Sequence, residues 1–442
     1  MTIPSPKIAV YGLWHLGSVT AAALAQERFH VCGLDIENEV IANLQQGKPP
    51  IFEPGLAELI EEGKRAGFLR FTTDREEALS DADVIWVAFD TPVDDEDRAD
   101  VAFVQKQLDD AFPFVQSGTT ILISSQVPVG FTDDLRRRWQ GRDSRKDLAY
   151  CYSPENLRLG KALKSFRAED RIVVGLDGER GRELIQSILS KFCPHLEWMS
   201  VKSAEMTKHA LNSFLAVSVA MTNEIARICE RTGADAKEVE RGLKSESRIG
   251  RGAYVSPGGP FAGGTLARDL RFLVQLGSER GVATPLLSGA LTSNDLHKNW
   301  ARDAAARMLK EVPAPARVAV LGLTYKPGTD TLRRSEAVSF GLWLAGQGIE
   351  VVCHDPVVNQ FPDGIAGKLH LTNNLKDAIA GSDLVVVSTG WPVYRETIRP
   401  EFLKQNMRRV AVIDQNRYLS AELEGVPGIL YVAVGKPGNQ TL

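Results

Sequence analysis

The 442-residue sequence predicts an α/β protein, with two doubly wound parallel-sheet domains joined by a long central helix and helical region. Three observations carry that prediction. A strand–turn–helix–strand pattern opens the chain, a second copy of the pattern begins near residue 317, and the stretch between them carries one long helical period.

The first pattern starts with the apolar run Lys7 to Tyr11, and Gly12-Leu-Trp-His-Leu-Gly17 turns it into a helix reaching about Gln26. Phe29 to Leu34 is the next strand and ends at Asp35. A strand–helix–strand unit of this kind is right-handed and makes its two strands parallel. Buried strands follow at Val84 to Ala88, Thr120 to Ser124 and Ile172 to Val174. From Ser203 the apolar residues recur at three- and four-residue spacing up to Gly233, the signature of one long helix suited to linking two domains and to pairing with a second copy. Pro313-Ala-Pro315 reads as a linker. Arg317 to Gly322 and Ile349 to Cys353, followed by His354-Asp355, repeat the opening unit, and Leu384 to Ser388 and Val410 to Ile413 add strands. The expected division is residues 1–198, 199–312 and 313–442.

Composition narrows the function. The chain is 43% hydrophobic and 24% charged, as expected for a folded globular protein. Lys plus Arg is 52 and Asp plus Glu is 56, so the net charge of −4 argues against a nucleic-acid partner, which usually selects a basic surplus. Cys32, Cys151, Cys193, Cys229 and Cys353 form no CxxC pair and no metal-ligand spacing, so reduced core thiols and no metal are expected. The absence of an apolar run of about 18 residues predicts no membrane span. The first strand begins too early to leave room for a signal peptide, and the expected location is cytoplasmic.

The glycine-bounded turn points to a dinucleotide. A helix that starts just after a first strand offers free N–H groups and a positive dipole end to a pyrophosphate. Rossmann-like turns use Gly-x-Gly-x-x-Gly, the middle glycine letting the backbone approach the phosphates. Gly12 and Gly17 keep the outer positions, whereas Trp14 stands at the middle one, where an indole is expected to obstruct the usual approach unless the loop shifts. Trp14, His15 and Leu16 would line the turn. Asp35, at the end of the second strand, would accept hydrogen bonds from the adenosine ribose and repel a 2′-phosphate, which selects NAD over NADP.

Several further segments occur in a telling order. They are Glu53-Pro-Gly-Leu56, Thr91-Pro-Val93, Ser125-Gln-Val-Pro-Val-Gly130, Ser153-Pro-Glu-Asn-Leu157, the pair Lys208 and Asn212, Arg248-Ile-Gly250, Gly258-Gly-Pro260, Phe261-Ala-Gly-Gly-Thr-Leu-Ala-Arg-Asp269 and Lys326-Pro-Gly-Thr-Asp-Thr-Leu-Arg-Arg-Ser335. With the two sheet patterns, the chain from about residue 7 to 420 resembles the UDP-glucose/GDP-mannose dehydrogenase family. The match at 326–335, to Lys-Pro-Asn-Thr-Asp-Asp-x-Arg-x-Ser, is the most specific.

The resemblance implies an NAD-dependent oxidoreductase acting on a nucleotide sugar, a UDP- or GDP-hexose, and a homodimer. It implies that Lys326 and Arg333 meet the nucleotide, and that Arg248, Gly263 and Gly264 cradle the sugar and its phosphates. Thr91 and Gln126 would line the cofactor side, Gln126 replacing the family's threonine. Glu155 would handle water, Lys208 and Asn212 would hold the oxyanion, and Asp269 would orient a water or act as a base.

The family's loop runs roughly Phe-Gly-Gly-Ser-Cys-Phe-Pro-Lys-Asp, and its cysteine captures the aldehyde between two hydride transfers. No cysteine occurs in 261–269 of this chain. Counting back from Asp269 puts Thr265 in its place; counting forward from Gly263-Gly264 implies a one-residue deletion. A threonine hydroxyl is a far poorer nucleophile than a thiolate near neutral pH. The expectation is a two-electron or transient oxidation. The alternatives are a full 6-dehydrogenase in which the aldehyde reacts as its hydrate, and a non-catalytic nucleotide-sugar-binding protein.

Overall fold

The computed structural model describes residues 5–92, 99–154, 157, 160–167, 170–261, 263–324, 326–332, 335–362 and 364–438. The chain divides into two compact units, Met1–Ala210 and Leu211–Leu442.

The first unit is built on an eight-stranded sheet of β1 (Lys7–Tyr11), β2 (His30–Leu34), β3 (Leu69–Thr72), β4 (Val84–Val87), β5 (Thr120–Ile123), β6 (Ala149–Tyr152), β7 (Ile172–Leu176) and β8 (Leu196–Met199). Their order is β3-β2-β1-β4-β5-β6-β7-β8. All neighbours are parallel except β6 and β7, whose antiparallel pairing of Cys151 with Leu176 departs from the all-parallel expectation. The alternation of a strand sends successive side chains to opposite faces. Ile8 and Val10 therefore join the core that packs the first helix (His15–Gln26), while Ala9 and Tyr11 join the core on the other face. Burial of each large apolar side chain contributes on the order of 1.5–3 kcal/mol. The expected strands are all present, with ends shifted by one or two residues.

In the second unit, β9 (Arg317–Leu321), β10 (Glu350–His354), β11 (His370–Thr372), β12 (Leu384–Val387), β13 (Ala411–Asp414) and β14 (Leu430–Val432) form a parallel sheet in the order β11-β10-β9-β12-β13-β14. Val318 and Val320 face one core, and Ala319 and Leu321 the other.

The central helix runs Val201–Thr232, so the boundary between the units falls within it. It ends one residue before Gly233, where the sequence predicts it to stop. Helices Ala236–Ser245, Arg268–Glu279 and Pro285–Leu309 follow, and a π-helical turn, Gly263–Ala267, leads directly into the second of these. Among the described residues no helix is long and apolar enough to cross a membrane.

Candidate functional site

In the first unit the carboxyl ends of β1, β2, β4 and β5 bring eight predicted residues together. Gly12 has φ +92°, and a Cβ there would lie 2.6 Å from the Phe89 ring. A Cβ on Gly17 would lie 1.7 Å from the Gly12 carbonyl oxygen, so the turn closes only with glycine at both ends. Trp14 has φ −67°, an ordinary value, and its side chain is 48% exposed. The residue therefore stands exposed at the mouth of the turn.

Asp35 is buried, and its carboxylate accepts the Leu13 N–H at 2.6 Å and the Glu37 N–H at 3.0 Å. A carboxylate offers about four acceptor positions, which leaves capacity for ribose hydroxyls. Leu16 donates its N–H to Asp90 at 3.3 Å. His15 Nε2 lies 3.2 Å from Glu53, and the same glutamate accepts the Gly160 and Ala162 N–H groups, each at 2.7 Å. The glycine turn, the following helix and the acid after β2 together fit a bound dinucleotide.

Beside this turn lies the segment that follows β5. Thr91 donates its hydroxyl to the Gln126 carbonyl at 2.7 Å. Gly130 and Thr132 donate their N–H groups to the Glu205 carboxylate at 2.5 and 3.0 Å, and His209 Nε2 meets the Val127 carbonyl at 3.0 Å. Burial pushes the Glu205 carboxyl above its ordinary range, opposed by those hydrogen bonds. Glu205 and His209 thus fix the segment carrying Gln126. Sequence reasoning missed both; the available signal was an acid and an imidazole on the face of the helix that also carries Lys208.

Lys208 and Asn212 are both buried on the central helix, 7% and 5% exposed. In the second unit Asn212 donates its amide to the fully buried Asp269. Thr265 is exposed within the π-helical turn that starts at Gly263 and Gly264, four residues before Asp269. Turns of this kind are rare and concentrate at functional positions.

The lead-in to that turn is clamped by side chains distant in sequence. Asn223 accepts the Gly258 N–H at 3.0 Å and donates to the Gly259 carbonyl at 3.2 Å. Asn416 accepts the Gly259 N–H at 3.0 Å. Asn294 accepts the Phe261 N–H at 2.8 Å and donates to its carbonyl at 3.0 Å. His297 lies 2.7 Å from the Gly258 carbonyl, which can only accept, so Nε2 carries the proton.

Burial lowers the His297 pKa to about 4. An unfolded histidine titrates near 6.5, so the unfolded chain takes up the proton first as pH falls. Stability linked to His297 is therefore intact above about pH 6.5 and is lost progressively towards pH 4, by about 2 kcal/mol at pH 5. Urea midpoints measured at pH 7.5 and pH 5 check this: His297→Gln is expected to lose less stability on acidification than the wild type.

Arg248 lies in the loop after helix Ala236–Ser245, pairs with Glu246 at 3.0 Å and leaves its side chain 86% exposed. Lys326 is half-buried after β9, and its carbonyl accepts the Thr324 hydroxyl at 3.1 Å. Glu155 and Arg333 lie outside the described residues.

A dinucleotide turn at the head of one sheet, and a second sheet of related pattern, define a two-sheet α/β protein of the NAD-binding class. Three family descriptions match in order: the NAD binding domain over residues 6–193, the central domain over 202–296 and the UDP binding domain over 319–421 of the UDP-glucose/GDP-mannose dehydrogenase family. The UDP-glucose 6-dehydrogenase AglM of Haloferax volcanii is 31% identical over 435 residues, covering 94% of this chain and 97% of that one. A UDP-glucose 6-dehydrogenase of Pseudomonas aeruginosa is 29% identical over 447 residues, covering 98% of each. The solved structure of a UDP-glucose dehydrogenase from Pyrobaculum islandicum superposes with a TM-score of 0.87 at 26% identity, covering 99% of both chains. The chain belongs to the UDP-glucose/GDP-mannose dehydrogenase family.

Proposed function

We propose that this chain oxidises a nucleotide sugar, a UDP- or GDP-hexose, by a single NAD-linked two-electron step, and does not carry a thiol-dependent second oxidation. One observation carries the reading: the segment 261–269 holds Thr265 and no cysteine. The placement of the cysteines supports it. Cys32, Cys151 and Cys353 sit in β2, β6 and β10, and all five cysteines are buried. Burial pushes the Cys151 and Cys353 thiols up to about 12 and Cys32 up to about 11, leaving almost no thiolate at neutral pH.

NAD, when bound, supplies the acceptor for the hydride. Asp269 removes the proton of the sugar hydroxyl, and Asn212 holds Asp269 in place through its amide. Lys208 brings an ammonium to the sugar oxygen, an interaction that is strongest as the hydroxyl gives up its proton and negative charge builds there before the hydride leaves. Lys326 and Arg333 take the nucleotide, Arg248 with Gly263 and Gly264 the sugar and phosphates, and Glu155 orients water. Functionally, residues 1–198 bind NAD, 199–312 carry the chemistry and the dimer contact, and 313–442 bind the nucleotide sugar.

The test incubates the purified chain with NAD and a panel of UDP- and GDP-sugars, counts NADH by absorbance and identifies the product by mass spectrometry. One NADH per sugar with an aldehyde or ketone product is expected. Two NADH per sugar with a uronic acid would instead establish a full 6-dehydrogenase in which the aldehyde reacts as its hydrate. No turnover together with tight nucleotide-sugar binding would establish the non-catalytic reading.

The chain is also proposed to form a homodimer along the central helix. Phe214, Met221 and Ile228 recur every seven residues, two helical turns, and are 72%, 44% and 61% exposed. An apolar stripe of this kind marks an interaction face. Phe214→Glu combined with Ile228→Glu is expected to halve the mass measured by sedimentation equilibrium while leaving the far-ultraviolet circular dichroism unchanged.

A further inference from the structure

We infer that Glu205 and His209 are positioning residues for the oxidation step: from either side of Lys208 they lock the segment 125–130, so that the lysine and the cofactor-side backbone keep one fixed separation. Residues 205, 208 and 209 are spaced i, i+3 and i+4 on the helix Val201–Thr232, so all three lie on one face. All are buried, Glu205 and His209 completely. Both flanking side chains reach the same short stretch of chain. His209 Nε2 lies 3.0 Å from the Val127 carbonyl, which can only accept, so Nε2 carries the proton. Glu205 accepts the Gly130 N–H at 2.5 Å, the Thr132 N–H at 3.0 Å and the Thr132 hydroxyl at 2.7 Å.

A fully buried carboxylate is costly unless hydrogen bonds replace its lost water, and three donors do so here. An apolar side chain at 205 would satisfy packing alone. The helix Phe131–Arg142 has no capping side chain at its own start, where Gly130 stands at φ +99°. Its first N–H groups are met instead by an acid from the helix that carries Lys208. The other end of the segment is tied to the sheet. Ser124 and Ser125 donate their N–H groups to the Val87 carbonyl at 2.9 and 3.2 Å, and Thr91 donates its hydroxyl to the Gln126 carbonyl at 2.7 Å. The segment therefore bridges the carboxyl ends of β4 and β5, the side on which open α/β sheets take their ligands, and the helical turn of Lys208. With both ends pinned, the backbone at Gln126 and the turn of Lys208 move together. A misplacement of about 1 Å at a reacting centre costs roughly 10² in rate, which is the slack these contacts remove.

This inference rests on the reading above that Gln126 lines the cofactor side and Lys208 meets the reacting oxygen, and the experiment separates the two. The full chain is compared with His209→Gln, His209→Met and Glu205→Gln. Glutamine places an amide nitrogen where Nε2 stands, whereas methionine fills the space without a donor. Glu205→Gln keeps the shape but turns one acceptor into a donor facing N–H groups. Three quantities are measured: kcat and KM with NAD and the nucleotide sugar that turns over, NAD affinity by calorimetry, and hydrogen exchange of the peptide covering 125–132 by mass spectrometry. His209→Met and Glu205→Gln are expected to lower kcat about tenfold to hundredfold, with both KM values and NAD affinity within about threefold of the wild type. The peptide is expected to exchange at least about tenfold faster in both, with or without NAD. His209→Gln is expected to stay within about threefold of the wild type in kcat and in exchange. If His209→Met and Glu205→Gln keep kcat within about twofold while the peptide exchanges faster, the contacts serve stability alone and the inference is overturned, while the reading of the reaction stands. It is equally overturned if kcat falls with exchange unchanged, if NAD affinity falls as far as kcat, or if His209→Gln falls as far as His209→Met. If the wild type turns over no nucleotide sugar, there is no oxidation step to position and both fall.

Discussion

Thr265→Cys is expected to raise the NADH yield from one towards two per sugar and to make a uronic acid the main product. The position is exposed, within the π-helical turn Gly263–Ala267, so a thiol placed there meets solvent and substrate instead of the protein interior. A free cysteine ionises near pH 8.5, giving a few per cent thiolate at neutral pH, whereas a threonine hydroxyl gives essentially none. Uronic acid output is expected to rise at least about tenfold over the wild type, and to rise further between pH 7 and 8.5 as the thiolate fraction grows. Product analysis by mass spectrometry over that range is the check. A wild type that already makes uronic acid, with no gain in the variant, would remove the thiol from the account of this reaction.

Asp269→Asn is expected to lower kcat by roughly 10²–10⁴, the range for losing a positioned proton acceptor. The substitution keeps size and shape and leaves the amide of Asn212 an oxygen to meet, so the melting temperature is expected to move by only a few degrees. NAD affinity is expected to be unchanged. Steady-state kinetics, calorimetry and thermal denaturation on the same preparation decide the matter: a variant that keeps kcat within about twofold while losing stability would make Asp269 a purely structural group.

The strands most legible from sequence share one property, which is continuous burial. Val84 to Val87, Thr120 to Ile123 and Leu384 to Val387 are buried at every position, so they read as unbroken apolar runs between turn residues. The strands at the sheet edges escaped. Leu69–Thr72, Leu196–Met199 and His370–Thr372 are short; the first alternates between buried and less buried positions, the other two have no fully buried residue, and nothing in Leu-Glu-Trp-Met distinguishes a strand from a loop. Ala149–Tyr152 is fully buried, but Ala-Tyr-Cys-Tyr lacks the β-branched residues that mark strands.

At the candidate site the individual residues were legible and their supports were not. Asp35 and the two turn glycines announce themselves by spacing from β1. By contrast, Glu205 reaching Gly130, Asn294 bracketing Phe261 and His297 meeting Gly258 join residues 33 to 75 positions apart. No local pattern encodes such pairings; they exist only once helix and loop are packed. Trp14 was legible as a departure from the glycine pattern, and it stands exposed where the first helix begins.

The closeness of Gly17 to the Gly12 oxygen changes how any saturation survey of this turn should be interpreted. Every replacement at residue 17 would collide with main chain before a ligand arrives, so poor recovery there reports on assembly of the sheet and says nothing about nucleotide use. Residue 14 bears the opposite kind of information: its side chain is exposed and fills no core, so its ranking of substitutions records ligand selection more than interior packing.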